Sequence, residues 1–157
     1  IKRYYFNSPY GLSIMLADNL GGFSLPKGIS LLNMNPADFK TAEKYPNKQC
    51  GVFGEYCHPV KDLDKSIAFW KKLGFTVKSK MDQPYPHAIL SDDLMIIGLH
   101  QTSNFDYPAI TYFGIQTAER VNLLRKQGLS FTNMQGAANV VTTGWEGQHF
   151  FLFSLGM

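Results

Sequence analysis

Three polar side chains lie in otherwise apolar, strand-like sequence and are the first candidates for chemistry. Glu55 and Cys57 are two residues apart within Val52–Val60, so in a β-strand both side chains point to the same face. His100 closes the apolar run Met95–His100, where an imidazole can act as an acid–base group or a metal ligand. The competing interpretations are a strand-edge charge for Glu55, a small buried hydrophobe for Cys57 and a solvent-facing strand end for His100.

The remaining histidines are weaker candidates. His58 precedes a proline at a strand end, which favours a turn role. His87, beside Pro86, is a weak candidate for the rim of a pocket, and the side-chain direction of His149 depends on the register of the final strand. The sequence shows neither a persuasive Ser/His/Asp or Cys/His arrangement nor a phosphate-binding glycine loop followed by a helix.

Composition narrows the class of protein. A chain of 157 residues suits a single domain with a substantial core. The net charge of +3 comes from scattered lysines and arginines, which do not form the basic patch typical of a nucleic-acid-binding surface. The two cysteines, Cys50 and Cys57, are too few for a disulfide framework, and free thiols fit a reducing compartment. We therefore expect a cytoplasmic protein, and no apolar run reaches the length of a membrane span.

Two similar segments must position these side chains. Residues 60–75 (VKDLDKSIAFWKKLGF) predict a strand end, a helix capped by Asp62 or Asp64, and a stop at Gly74. About 54 residues later, residues 115–129 (IQTAERVNLLRKQGL) predict a helix over Ala118–Lys126 that stops at Gly128. Repetition at a fixed period indicates two copies of one structural unit.

Strand patterns complete both copies as β-α-β-β-β. The fold class is therefore α+β, with tandem βαβββ units over about 52–101 and 107–157 in a domain spanning 51–157. We expect the two units to form a curved, antiparallel-rich sheet that contains a cleft, with the helices on the convex side.

Residues 1–50 form a separate region, predicted as an amino-terminal hairpin followed by a loop-rich arm with a short helix near residues 36–43. The hairpin sequence 7–16 resembles 143–152, since each places a turn glycine before a final apolar strand. The amino-terminal hairpin is then either the end of a preceding βαβββ unit or a hairpin recruited as an extra arm.

Residues 60–75, with their Leu-Gly-Phe ending, resemble the first strand-to-helix segment of the vicinal oxygen chelate superfamily. This superfamily comprises glyoxalase, bleomycin-resistance, fosfomycin-resistance and extradiol dioxygenase proteins. Residues 144–153 are similar to its closing turn and strand, with Gly144-Trp145 in place of Asp-Pro. The resemblance covers about residues 52–157.

The resemblance implies one metal site built from four strand positions. It places them at Glu55, at Ile97 or Gly98, at about Ile110, and at Phe151. A shift of one residue would substitute Ala109 or Thr111 at the third position and Phe150 or Leu152 at the fourth. Glu55 alone is a ligand-type residue at a family metal position, and one carboxylate does not hold a divalent ion against its hydration. We therefore expect no metal and no cofactor.

Strand alternation from the family-aligned positions predicts the lining of the cleft. The pocket candidates are Glu55, Cys57, His100, Ile110, Tyr112, Phe151 and Phe153. This lining is apolar and aromatic with a few polar groups, as in sites for mid-sized organic ligands.

The favoured function is a glyoxalase/bleomycin-resistance-like small-molecule-binding protein whose usual metal site is lost. The alternative is a divalent-metal-dependent glyoxalase-like lyase or isomerase, or a dioxygenase relative, with rearranged ligands such as Glu55, His100 and groups from a partner chain. A third interpretation is a purely structural module whose own phenylalanines fill the cleft. The family implies a homodimer, and we expect neither nucleic acid nor a membrane as a partner.

Overall fold

The computed structural model describes residues 2–18, 28–133, 140–144 and 146–154. The turn residue Trp145, residues 134–139 and the carboxy-terminal end of the chain therefore lie outside the described residues. The elements are β1 Arg3–Asn7, β2 Ser13–Ala17, α1 Pro36–Phe39, a 3-10 turn Ala42–Lys44, β3 Val52–Pro59, α2 Leu63–Lys72, β4 Thr76–Met81, β5 His87–Ser91, β6 Ile96–His100, β7 Ala109–Gly114, α3 Thr117–Lys126, β8 Thr132–Asn133, β9 Val140–Thr143 and β10 His149–Ser154.

The first unit, β3-α2-β4-β5-β6, begins its helix at the predicted cap. The Asp62 side chain accepts a hydrogen bond from the Lys65 backbone N–H at 3.0 Å, which satisfies a free donor of the first turn. The helix ends before Gly74, whose φ of +93° lies in the left-handed region that favours glycine. Among the described residues, no helix has both the length and the apolar character that a membrane span requires.

The second unit, β7-α3-β8-β9-β10, repeats the first. Its helix Thr117–Lys126 has the same length as Leu63–Lys72 and follows it at the spacing of the sequence repeat, which confirms the tandem βαβββ prediction. Among the residues described, eight strands form one sheet in the order β4-β5-β6-β3-β7-β10-β9-β8. The α+β class is confirmed.

The two units meet at the centre of this sheet, where β3 pairs with β7 in antiparallel fashion. Glu55 lies opposite Thr111, and Cys57 opposite Ala109. In the repeat, Glu55 corresponds to Ala109 and Cys57 to Thr111, so exchanging the two units maps one of these pairs onto the other. The centre of the sheet therefore has approximate twofold symmetry.

Both helices pack on the same face of the sheet, which we call the helix face. Trp70 and Leu63 of α2 pack with Leu90, Ile97 and Leu99 in one buried cluster. Val121 and Leu124 of α3 pack with Leu152 in another. The opposite surface, here called the inner face, takes the alternate side chains of every strand.

The amino-terminal strands form a two-stranded sheet of their own. Tyr10, Leu12 and Ile14 pack against the α2 cluster, and the Phe6 ring meets Phe69 edge to face at 6.4 Å. The hairpin is thus docked on the first unit by apolar contacts.

The arm that follows the hairpin crosses to the second unit. Its short helix begins after Asn35, whose side chain accepts a hydrogen bond from the Ala37 backbone N–H at 3.0 Å, as the sequence predicts. Tyr45 is buried, and its hydroxyl donates to the Phe39 carbonyl at 2.7 Å and accepts from the Ile115 N–H at 2.9 Å. These bonds fasten the arm to the end of β7.

Candidate functional site

Glu55, Cys57 and His100 meet on the inner face, where β3 and β6 run side by side. The parallel register places Cys57 beside Gly98 and Pro59 beside His100, so alternate residues of both strands face this side. A register shift between Phe53 and Glu55 marks a bulge at Gly54. A side chain at Gly54 would overlap the Phe113 ring, so glycine is required there.

These three side chains form one compact cluster. The Glu55 Oε1 and His100 Nε2 atoms lie 2.6 Å apart, and the Cys57 Sγ atom lies within 4.8 Å of both side chains' donor atoms. Glu55 is 4% exposed and Cys57 2% exposed. A carboxylate, a thiol and an imidazole are therefore held together almost out of contact with water.

Gly98 makes room for this cluster. A Cβ atom at that position would overlap both carboxylate oxygens of Glu55. The carboxylate therefore lies over the β6 backbone at one of the two residues that the family resemblance gives for the second ligand.

Burial sets the ionisation of the neighbouring groups. It raises the pKa of the Cys57 thiol well above its usual value, and the Glu55 charge and the hydrogen bond to Glu55 act in the same direction. Burial likewise raises the pKa of Tyr85 to about 12, with smaller contributions from Cys57 and Glu55. Both groups stay neutral near pH 7 and are hydrogen-bond donors there.

Two further residues flank His100 on the side away from β3. The His87 ring stacks on the His100 ring with a centroid distance of 5.6 Å, and the Tyr85 ring meets His100 at 5.8 Å. The His87 Nδ1 atom lies 2.8 Å from the Tyr85 carbonyl oxygen. Because a carbonyl only accepts, Nδ1 carries the proton, and a neutral His87 has its free lone pair on Nε2.

The segment between β6 and β7 covers the inner face beside this cluster. Phe105, 6% exposed, packs with Cys57, Ala109 and Phe151, and Tyr107 packs against the same group. Phe105 also meets the His100 ring at 5.9 Å. We call Phe105 and Tyr107 the aromatic cap. The cap was not predicted from the sequence, although two aromatic residues two positions apart in a polar loop were a visible signal.

An open depression of about 470 Å³ borders the cap. It is lined by Tyr10, Pro59, Val60, Lys61, Thr102, Ser103, Phe105 and Asp106. Phe105 forms the wall between this depression and His100, since its ring contacts the imidazole.

The structure brings together five of the seven predicted pocket residues and separates two. Glu55, Cys57, His100, Phe151 and Phe153 all lie on the inner face. The face predicted for Ile110 and Tyr112 is wrong: Ile110 lies opposite Tyr56, and Tyr112 packs with Val121 and Leu124 under α3.

Thr111 takes the inner-face place that the prediction gave to Ile110. It lies opposite Glu55 and is fully buried. Its hydroxyl has no hydrogen-bond partner among the described residues. The family-aligned register was one residue out, and such a slip moves every side chain of a strand to the other face.

The donor atoms do not fit the four-position metal site of the resemblance. Of the inner-face residues at those positions, Gly98 and Phe151 offer no donor atom and Thr111 offers a neutral hydroxyl. A different set does converge, because the donor atoms of Glu55, Cys57 and His100 lie within 4.8 Å of one another. Oxygen, sulfur and nitrogen donors together suit zinc and related transition metals.

No sequence-family model matches the chain, and neither does any curated protein. Among solved structures, the chain is similar to the 2,3-dioxygenase LapB from Pseudomonas sp. KL28, with 14% identity and a TM-score of 0.53. The alignment covers 99% of this chain and 58% of that one, so the chain spans somewhat more than half of the dioxygenase's length.

Two further solved structures are similar to the chain at TM-scores below 0.5. A glyoxalase/bleomycin resistance protein/dioxygenase superfamily member from Vibrio splendidus 12B01 is 18% identical, with 64% of this chain and 95% of that one covered and a TM-score of 0.41. The fosfomycin resistance protein FosX from Listeria monocytogenes, solved with Mn(II) and sulfate, is 16% identical, with 66% and 89% covered and a TM-score of 0.28.

At these identities structural similarity concerns architecture and not activity. The paired βαβββ units, the helices on one face and the similarity to the dioxygenase together show that this chain has the fold of that dioxygenase, as expected from the sequence resemblance to the vicinal oxygen chelate superfamily.

Proposed function

We propose that the chain is a small-molecule-binding protein that uses the inner face of this fold without the superfamily's usual four-ligand metal site. The observation that carries the proposal is the buried hydrogen bond between Glu55 and His100 at 2.6 Å. A buried carboxylate–imidazole pair costs desolvation and is seldom kept for stability alone, so its position beside a depression favours a role in recognition.

The surroundings of His100 indicate the class of ligand. Its ring has aromatic neighbours in Phe105, Tyr85 and His87, and Tyr85 contributes a hydroxyl that stays protonated. Such a lining favours a planar or aromatic organic molecule carrying a hydrogen-bonding group. Glu55 would act as a positioning residue by orienting the imidazole.

Binding can be measured by calorimetry with bleomycin and simple phenols as probes. We expect saturable binding by the unaltered chain, and we expect His100→Gln to weaken it about tenfold, the loss of one hydrogen bond to a charged or polar partner. Tyr4→Phe, at an exposed hairpin position, is the matched control and should bind normally. Equal binding by His100→Gln would remove the inner face from consideration.

A second candidate is a metal-dependent lyase, isomerase or dioxygenase relative with rearranged ligands. The convergence of Glu55, Cys57 and His100 favours it specifically. If these residues hold an ion, they leave a coordination position open, and the metal would supply Lewis-acid chemistry there. The Glu55–His100 hydrogen bond would have to open, because both atoms that share it would instead donate a lone pair to the ion.

Metal analysis of protein purified without chelators separates the two candidates. The first predicts well under one equivalent of bound transition metal. One equivalent that is lost in Cys57→Ser would contradict the first candidate and favour the second. Cobalt titration gives an independent readout, because a Co²⁺–thiolate bond adds near-ultraviolet absorption that the serine variant lacks.

Location and assembly form part of the same proposal. Cys50 and Cys57 are both free, which suits a reducing compartment such as the cytoplasm. We also propose a homodimer, as in many proteins of this fold. Subcellular fractionation tests the first, and sedimentation at several concentrations tests the second.

A further inference from the structure

The amino-terminal hairpin has the same geometry as the hairpin that closes the second unit. Asn7 pairs with Ser13 as Thr143 pairs with His149, so the two pairs enclose turns of equal length. The neighbouring pair keeps this correspondence, since Phe6 lies opposite Ile14 as Thr142 lies opposite Phe150.

The two turns share their hydrogen bonds as well. The Ser8 N–H donates to the Leu12 carbonyl at 2.9 Å, and the Gly11 N–H donates to the Ser8 carbonyl at 3.1 Å. In the closing hairpin, the Gly144 N–H donates to the Gln148 carbonyl at 2.8 Å, and the Gly147 N–H donates to the Gly144 carbonyl at 3.0 Å.

The two turn glycines, Gly11 and Gly147, have φ angles of +85° and +83°. Since the register and the turn both agree, β1–β2 is built as the last two strands of a βαβββ unit.

The partners of the two hairpins differ. In the second unit, β10 pairs with β9 on one side and with β7 on the other, and β9 also pairs with β8. Among the described residues, β1 and β2 pair only with each other. Within the part of the chain that the structure describes, both outer edges of the amino-terminal hairpin are therefore open for strand pairing.

Side chains at equivalent positions of the two hairpins also differ in burial. Phe151 and Leu152 are 0% and 1% exposed, because β7, the aromatic cap and α3 cover them. Their counterparts Met15 and Leu16 are 52% and 53% exposed. Exposed apolar residues at positions that a complete unit buries indicate a missing covering element.

The contacts that the hairpin does make leave those positions free. Ile14 packs against the α2 cluster, and Phe6 meets Phe69. Phe150, the counterpart of Ile14, borders an open cavity in the second unit, so this position is accessible in a complete unit as well. Docking on α2 is thus compatible with a separate helix over Leu16.

We propose that β1–β2 is the closing strand pair of a further βαβββ unit and docks a strand–helix–strand segment that precedes it on the same polypeptide. In the second unit, the corresponding segment runs from Ala109 to Asn133. The dioxygenase similarity agrees with this, because its alignment covers 99% of this chain, hairpin included, within a longer protein.

The first test uses the complete polypeptide that the source organism makes. Intact-mass measurement and the coding sequence upstream of residue 1 should reveal a further segment at least as long as Ala109–Asn133, with a strand–helix–strand pattern. A native polypeptide that lacks such a segment overturns the proposal.

A stability comparison tests the docking itself. In the native polypeptide, Leu16→Lys should lower the melting temperature by about 5 °C or more, since it places a charge in a covered apolar position. In the 157-residue chain the same change should have little effect, because Leu16 is half exposed there. Leu94→Lys, at a position 76% exposed, is the matched control and should be neutral in both.

Two outcomes contradict the proposal. One is an unchanged melting temperature for both Leu16→Lys and Met15→Lys in the native polypeptide. The other is a dimer of the isolated chain that Leu16→Lys dissociates, which would assign the surface to a second copy. Neither outcome involves Glu55 or His100, so failure here leaves the proposed function untouched.

Discussion

At the scale of single residues, the inner-face cluster depends on the fit of the Glu55 carboxylate into the space left by the absent side chain of Gly98. The Glu55 carboxylate occupies the space over Gly98, where it is hydrogen-bonded to His100 and lies close to the Cys57 thiol. Glycine is therefore required at position 98 because the Glu55 carboxylate lies so close to the backbone, and not because glycine can adopt a left-handed backbone conformation.

This match predicts a strong energetic coupling. Gly98→Ala should lower the free energy of unfolding by about 1–3 kcal/mol, because the new methyl overlaps the Glu55 carboxylate. In a Glu55→Ala background the same change should cost much less, since the obstructing group is gone. Urea unfolding of the four proteins measures the coupling, and Gly28→Ala, where an added Cβ meets nothing within 4 Å, is the control. Additive effects would contradict the placement of the carboxylate.

A pH-dependent stability follows from His58 on the helix face. Burial lowers its pKa from 6.5, and neither ring nitrogen has a hydrogen-bond partner among the described residues. The unfolded chain therefore binds a proton at a higher pH than the folded chain. Stability should be full above pH 6.5 and should fall as the pH drops from there toward the lower folded pKa.

His58→Leu should remove this acid-side loss. The measurement is the difference in free energy of unfolding between about pH 7.5 and about pH 5, which should be smaller in the variant than in the unaltered chain. Equal slopes in the two proteins would show that His58 is not the group responsible.

At the scale of elements, the loop between the two units acts as a cover. Phe105 fills the space between His100 and Phe151, with ring centroids 5.9 Å and 5.4 Å away. Tyr107 stacks on His149 at 3.7 Å and so ties the loop to the start of β10. A connection between two strands thus completes the core of the inner face.

Removing the cap should expose the cluster. Phe105→Ala is expected to cost about 3 kcal/mol of stability, in the range for a buried aromatic residue, and to speed alkylation of Cys57 by iodoacetamide. Mass spectrometry of the labelled peptide gives the rate, and Leu94→Ala at an exposed turn is the control. A stability loss without faster labelling would mean that another element shields the thiol.

The arm offers a second element-scale test through Tyr45. Tyr45→Phe removes the acceptor for the Ile115 N–H and the donor to the Phe39 carbonyl, at a site 1% exposed. We expect a loss of about 1–3 kcal/mol in the free energy of unfolding, the cost of leaving buried polar groups unpaired. Tyr4→Phe on the exposed hairpin should be neutral by the same measurement.

The elements themselves could be predicted from sequence, because local signals mark them. Asp62 and Gly74 delimit α2, and Asn35 begins the short helix of the arm. Register is different, since Ala109–Gly114 is apolar on both faces and carries no alternation to show which residues point inward. The misplacement of Ile110 and Tyr112 has this cause.

The cluster of Glu55, Cys57 and His100 could be predicted only in part, because its members lie on two different strands. Glu55 and Cys57 share a strand, so their common face follows from spacing alone. The approach of His100 depends on how β6 pairs with β3, and the cap depends on the path of a loop. Tertiary pairing of this kind leaves little trace in a single sequence.

At the scale of the whole molecule, the two units share one backbone ladder at β3 and β7. Two halves joined at the centre of a sheet should unfold together. Val121→Ala in the second unit should therefore lower the urea midpoint reported by Trp70 in the first, measured by fluorescence in a Trp145→Phe background. A Trp70 midpoint that ignores the Val121 change would show two independent folding units.

The twofold relation at the centre of the sheet also relates the side chains of the two halves. The strand registers place Ala109 and Thr111 of the second unit at the positions that Glu55 and Cys57 occupy in the first. They likewise place Phe151 and Phe153 at the positions of Gly98 and His100. A gene duplication that created two equal units would have started with the same residues in both. In the present chain the two halves differ at these positions, because one carries ionisable groups and a glycine that leaves space for them, while the other carries alanine, threonine and phenylalanine. For anyone tracing the ancestry of the chain, the informative comparison is therefore between its own two halves.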